Sequence, residues 1–120
     1  MPPFTTEADA VTYIFRSLRK LRGHEARGTD DQVRDVTPTR RLLGAENLLD
    51  TPREYAVVTG SKGKGSTTIL ASRVLQSLGH RVGTITSPHL VSWRERIRVN
   101  GLAIPEADFL RIANSLVPTI

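Results

Sequence analysis

EYAVVTGSKGKGSTTILASRVLQSLGHRVGTIT, residues 54–86, is the stretch that decides the fold. Glu54 to Thr59 is a short apolar run rich in β-formers, the pattern of a buried strand. Gly60 to Gly65 is a loop with a glycine at every second or third position. Ser66 to Leu78 carries Leu70, Val74 and Leu78 at i, i+4 and i+8 with Leu75 beside them, which predicts a helix that Gly79 closes. Arg81 to Thr86 predicts a second strand. Strand, helix and strand with short joints make a βαβ unit, so the two strands are expected to be parallel and the crossover right-handed.

A glycine-rich loop between a buried strand and a helix has a specific chemical use. Its backbone N–H groups and the helix N-terminus form a cradle for an anion, and glycine lets the chain approach a phosphate closely. Lys64 is placed to reach the β- and γ-phosphates of a nucleotide, and Ser66 or Thr67 to hold Mg²⁺ or a phosphate oxygen. Two of only three lysines in the chain, Lys62 and Lys64, lie here, against fourteen arginines elsewhere. Lysine is the compact point charge that the broader guanidinium cannot mimic. The spacing departs from the usual phosphate-loop pattern: Gly60 and Gly63 are two residues apart, and Gly65 separates Lys64 from Ser66.

In parallel sheets ligands sit beyond the carboxyl ends of the strands. Gly60 follows the first expected strand and Ser87 the second, so Ser87-Pro88-His89 is expected beside the loop. Its hydroxyl suits Mg²⁺, which prefers oxygen; equally, Ser87 is an ordinary turn residue before proline, and His89 alone has structural uses.

Outward from this centre, Thr6 is an N-cap candidate for a helix over residues 6–21, with Glu7 and Asp9 in its first turn, Ala10, Ile14, Leu18 and Leu21 on one stripe and Gly23 as its stop. Residues 24–36 are expected to be loop. Pro38 opens a short helix that runs through Leu43 to Gly44. Downstream, Arg96 to Val99 predicts a strand, Asn100-Gly101 a tight hairpin turn, and Leu102 to Ile104 its return. Pro105 opens a last helix with Phe109, Leu110, Ala113 and Leu116 on its apolar side.

Composition sets the outer bounds. The 120 residues suit one domain, 24% are charged and the formal charge is +5. No cysteine is present, which excludes disulfides, thiolate metal sites and a cysteine nucleophile. No run approaches a membrane span and no secretory signal opens the chain, so the expectation is a cytoplasmic protein without a membrane partner. The arginines are interspersed with acids and six aromatic residues show no basic interleaving, so nucleic acid is not expected as a partner.

Three pieces in order, Gly60-Ser61-Lys62-Gly63-Lys64-Gly65-Ser66-Thr67, Thr86-Ser87-Pro88-His89-Leu90 and Glu95-Arg96-Ile97-Arg98-Val99-Asn100-Gly101, resemble the folylpolyglutamate synthase and dihydrofolate synthase family, within the Mur ligases. The glycine after the phosphate-loop lysine is a feature of that family. Thr-Asn is usual there where this chain has Ser61-Lys62, so Lys62 adds a charge to the loop. The resemblance implies an ATP-dependent amide ligase of one-carbon metabolism. ATP phosphorylates a folate- or dihydropteroate-type carboxylate, and the amino group of L-glutamate attacks the acyl phosphate. It implies that residues Gly60 to Thr67 bind ATP, with Lys64 catalytic, that Ser66 and Ser87 are Mg²⁺ ligands, and that His89, Glu95 and Arg96 belong to a mobile loop near the substrate. A charged hairpin strand is the plainer alternative for that last segment.

The fold so implied is α/β: a phosphate-loop βαβ start of a Mur-ligase ATPase domain with a mostly parallel sheet, preceded by an N-terminal helical segment. Residues 1–50 would be that segment and 51–120 the first part of the central domain. Family members are several times longer, so the expectation is an N-terminal piece, inactive alone, that needs the rest of a chain. Two alternatives stand beside it: a Mur-type ligase acting on a non-folate acid, and a stand-alone nucleotide-binding module.

Overall fold

A computed structural model of the chain describes residues 3–21 and 35–119. The expected stop at Gly23 and the loop up to Arg34 lie outside the described residues, as do the side chains of Leu18 and Leu21.

The first helix, α1, spans Glu7–Leu21. Thr6 caps it as expected: its hydroxyl accepts from the Asp9 amide at 3.2 Å and donates to the Asp9 carboxylate at 2.7 Å. Helix α2, Thr37–Ala45, carries Pro38 in its first turn. It runs one residue past Gly44, and Asn47, with φ 54°, takes the left-handed position that ends it. The Leu48 amide then reaches the Leu43 carbonyl and the Asn47 amide that of Gly44, a Schellman arrangement.

Helix α3, Lys64–Ser77, begins two residues earlier than the apolar spacing predicts and takes Lys64 and Gly65 into its first turn. Gly79 ends it in the left-handed region, with the His80 amide bonded to the Leu75 carbonyl. Three strands follow: β1, Gly83–Ile85; β2, Ile97–Val99; and β3, Leu102–Ala103. A 3₁₀ turn, Trp93–Arg96, precedes β2. Asn100 (φ 48°) and Gly101 (φ 81°) make the hairpin turn between β2 and β3 that their identities predict. Helix α4, Glu106–Leu116, starts after Pro105.

The sheet corrects the expected topology. Its order is β1-β2-β3 and both pairings are antiparallel, Thr84 facing Arg98 and Arg98 facing Ala103. A parallel βαβ unit is not formed, because Glu54 to Thr59 lies outside regular secondary structure and no described strand pairs with it. A strand exists only through its ladder, and apolar composition by itself supplies no partner. The hairpin turn brings β3 against β2 at small cost in loop-closure entropy, and β2 pairs back onto β1.

Packing follows polar as well as apolar patterns. Helix α3 lies against β1 through Ser72, whose hydroxyl accepts from Thr84 at 3.1 Å and from Gln76 at 2.9 Å; Ser72 and Thr84 are both buried. The predicted stripe Leu70, Val74, Leu78 looks away, each more than half exposed. Helix α4 packs on α1, and Ala10, Ile104 and Ala113 are the buried apolar residues. Asn114 fixes the segment before α1: it accepts from the Phe4 amide at 2.6 Å and donates to the Phe4 carbonyl at 3.2 Å. No helix among the described residues is long and apolar enough to cross a membrane.

Candidate functional site

The loop before α3 carries two backbone features that an anion cradle uses, left-handed glycine and a helix N-terminus. Gly60 and Gly63 take positive φ, 146° and 74°, and Gly63 is the N-cap of the helix. A side chain at Gly63 would sit in the left-handed region, at a cost of about 1–2 kcal/mol. Gly65 has no such need: its φ is not positive, and a Cβ there would meet nothing within 4 Å. The protein's own packing therefore does not require glycine at this position.

Lys64 opens the helix, and its Nζ donates to the Gly60 carbonyl at 2.7 Å, so the ammonium already lies across the loop. Ser61, Lys62, Ser66 and Thr67 are exposed around it. Thr67 closes the first turn through its amide, bonded to the Gly63 carbonyl at 2.9 Å. The unpaired amides of the first turn and the helix dipole favour a negative group at this end.

Ser87 follows β1. The Thr86 amide still bonds to the Arg96 carbonyl at 3.0 Å, and the Ser87–Pro88 peptide is cis. Helix α3 and β1 run antiparallel, since Gln76 meets Gly101 near the start of β1 while Ser72 meets Thr84 one residue further along. Ser87 and the Gly60–Gly65 loop thus lie beyond the same end of that pair. No hydrogen bond joins them among the described residues.

A Mg²⁺ ion fits the donors on offer. Among the described residues no three His, Cys, Asp or Glu side chains cluster. The hydroxyls of Ser66 and Ser87 are hard oxygen donors, the ligand type that Mg²⁺ takes.

The expected substrate loop, His89 to Arg96, is built around Trp93. The Arg96 guanidinium lies 4.1 Å from the indole centroid, the His89 ring 4.5 Å and the Phe15 ring of α1 5.1 Å. Arg96 Nε donates to His89 Nδ1 at 2.9 Å, so His89 and Arg96 are brought together. Glu95 does different work: its carboxylate accepts from the amides of Leu90, Val91 and Ser92 at 2.9–3.1 Å. Those amide bonds, Ser92 foremost, hold its pKa down at about 2. The segment is a capped turn leading into a strand, and its ends are tightly bonded.

Glu7 belongs to this cluster, and its sequence context reads only as an ordinary first-turn acid. From α1 it accepts from the Ser92 hydroxyl, the Trp93 amide and Arg94 Nε. Partial burial pushes its pKa up, but the bonds from Ser92, Arg94 and Trp93 outweigh it and the net direction is down. Trp93 is the chain's one tryptophan, the available sequence signal for the cluster's centre.

Comparison with known proteins places these features. No family model matches the chain. A folylpolyglutamate synthase of Arabidopsis thaliana is 39% identical over 115 residues, 92% of this chain and 18% of that protein. A dihydrofolate synthase/folylpolyglutamate synthase of Bacillus subtilis is 40% identical over 63 residues, 52% of this chain and 15% of that protein. The folylpolyglutamate synthase structure from Thermotoga maritima superposes with a TM-score of 0.68 at 30% identity, covering 90% of this chain and 24% of its own. A folylpolyglutamate synthase structure holding AMPPCP and folate superposes with a TM-score of 0.66 at 27% identity, covering 96% of this chain and 27% of its own. The chain thus spans about a fifth of the length of the relatives it matches.

Proposed function

We propose, from the premise that this chain belongs to the folylpolyglutamate synthase and dihydrofolate synthase family, that it supplies the nucleotide-binding part of an ATP-dependent amide ligase. The observation that carries the proposal is the loop at the head of α3. A left-handed Gly63 caps the helix, and Gly65 stays open where no packing requires it. A relative crystallised with an ATP analogue and folate supports the same substrate classes here.

In the proposed reaction a carboxylate oxygen of a folate- or dihydropteroate-type acid attacks the γ-phosphorus of ATP, and ADP leaves. The amino group of L-glutamate then attacks the acyl carbon; inorganic phosphate leaves and an amide forms. Phosphoryl transfer asks for positioning and charge neutralisation above all. Lys64, released from the Gly60 carbonyl, reaches the β- and γ-phosphate oxygens. The amides from Ser61 to Ser66 hold the phosphates, with Lys62 adding positive charge and Thr67 closing the turn behind them. Ser66 and Ser87 would hold Mg²⁺, which would supply charge neutralisation at the phosphates. His89 and Arg96, gathered on Trp93, face the acid, and Glu95 shapes the turn that carries them.

The division into an N-terminal helical segment, residues 1–50, and the first part of a central ATP-binding domain, 51–120, belongs to the same proposal, as does the need for further chain to complete the site. The test is ligation by the whole protein with ATP, Mg²⁺, glutamate and either dihydropteroate or tetrahydrofolate. ATP-dependent glutamate incorporation into one of them is expected. ATP binding with no incorporation into either acid would sink the folate ligase and leave a ligase of another acid or a nucleotide-binding module.

A further inference from the structure

The turn between His89 and Arg96 is gripped by two carboxylates, one of its own and one from α1. Glu95, within the turn, holds the amides of residues 90–92. Glu7 reaches it from α1, 85 to 87 residues away in sequence. Each Glu7 oxygen lies 2.9 Å from the Ser92 hydroxyl; one accepts the Trp93 amide at 2.7 Å and the other Arg94 Nε at 3.1 Å. Arg94 in turn donates to the Ile104 carbonyl at 2.9 Å, and the Glu7 amide faces a Glu106 oxygen at 3.4 Å. One carboxylate thus ties α1, the 3₁₀ turn and the approach to α4 together. The Glu7 and Arg94 side chains are 19% and 29% exposed, so water competes little for this pair.

What the grip fixes is Trp93. Its amide is held by Glu7, and its ring bears Arg96 on one contact and His89 on another. A rotation of the 92–94 backbone would carry both side chains with it. We propose that Glu7 is a positioning residue: helix α1, through this carboxylate, sets the orientation of Trp93 and with it the aim of His89 and Arg96 at the acid substrate. This rests on the ligase reading for the identity of that substrate, while the grip itself does not.

The test compares the whole protein with its Glu7→Gln and Ser92→Ala variants. Glu7→Gln keeps an acceptor but removes the charge; Ser92→Ala removes one donor to Glu7 together with the acceptor of the Arg94 amide, and leaves α1 intact. Hydrogen exchange by mass spectrometry is read first. Exchange protection of the Trp93 amide, which Glu7 holds, is expected to fall about tenfold or more in Glu7→Gln, the worth of a charge-assisted bond, and less in Ser92→Ala, whose direct loss is at the Arg94 amide. Protection over α3 is expected to stay unchanged. Kinetically, KM for the acid is expected to rise several-fold with KM for ATP unmoved. Unchanged protection of the Trp93 amide in Glu7→Gln would refute the grip. Lost protection with an unchanged KM for the acid would refute the positioning role. A wild-type protein that ligates neither acid would overturn the folate-ligase reading and the substrate half of this proposal, with exchange still deciding the grip.

Discussion

Replacing Gly65 by alanine sets the protein's interest against the ligand's. Gly65 is the second residue of α3, its φ is ordinary, and an added methyl meets nothing within 4 Å. Glycine within a helix is worse than alanine by about 0.5–1 kcal/mol. The ligand-free protein should therefore gain about that much, a rise in Tm of about 1–4 °C in a domain of ordinary size. A phosphate seated in the cradle must come close to the same backbone, where the methyl excludes it. Loss of one charge-assisted N–H bond alone weakens binding about tenfold or more. Thermal melts with and without a non-hydrolysable ATP analogue read both effects at once. At an analogue concentration 100 times the wild-type Kd, binding adds about 2.7 kcal/mol, and a tenfold weaker complex adds only about 1.4 kcal/mol. The variant should melt higher alone and gain half as much from nucleotide. Gly63→Ala provides the contrast, since φ 74° places its methyl in the left-handed region and lowers stability without ligand by about 1–2 kcal/mol. A Gly65→Ala protein with an undiminished nucleotide shift would show that no phosphate approaches this turn, and the cradle would have to be abandoned.

Three further outcomes are expected. Lys64→Ala should abolish ATP turnover in the whole protein, measured as phosphate release; ordinary turnover would remove Lys64 from the phosphates and leave it a tie to the Gly60 carbonyl. Ser87→Ala should raise the Mg²⁺ concentration needed for half-maximal activity, and an unmoved Mg²⁺ titration would make Ser87 a turn residue. The third concerns pH: the amides of Ser92, Leu90 and Val91 hold the folded pKa of Glu95 at about 2, below its ordinary 4.5. A carboxylate depressed by folding contributes its stability above the unfolded value and loses it as pH falls towards the folded one. The 90–95 turn should thus keep its order above pH 4.5 and lose it progressively towards pH 2. Glu95→Gln should flatten that dependence of Trp93 emission, and an identical profile in the variant would place the transition elsewhere.

How much of this could be read from the residues depends on how far apart the interacting parts lie. Thr6 with Asp9, the glycine after Leu78, Asn100 with Gly101 and Pro105 before α4 are decided within a few residues, and each is found where its chemistry puts it. Gly44 as a helix stop fails locally too, because Asn47 offers the left-handed position three residues later. The pairing of strands is another matter. Glu54 to Thr59 has the composition of a parallel strand, but composition does not name a neighbour. The ladder that forms is the one whose turn is cheapest to close. The stripe of α3 misleads in the same way: Leu70, Val74 and Leu78 form a face, yet the sheet takes Ser72 and Gln76 from the other side.

The two halves of the site divide along the same line. A phosphate cradle needs only a helix N-terminus and the few residues before it, so its glycines, lysine and hydroxyls are legible as a motif. The half proposed to face the acid is assembled from α1, the 3₁₀ turn and β2, and its organising carboxylate, Glu7, has a neighbourhood in sequence that any helix start could share. The sheet's register adds a consequence. It puts Ile85 beside Ile97 and Val99 beside Leu102 on a single face, where Ile85 is 84% and Leu102 75% exposed. Exposed apolar faces are normally covered in a folded protein, and the chain spans about a quarter of the solved relatives it superposes on. Covering that face would stiffen the sheet that carries β1 and therefore Ser87, whereas the cradle at the head of α3 depends on it little. Nucleotide binding should thus tolerate substitutions on the open sheet face, such as Leu102→Ser, that impair ligation by the whole protein. If ATP affinity and ligation instead fell together in that variant, the cradle would be a property of the assembled sheet rather than of the loop and helix alone.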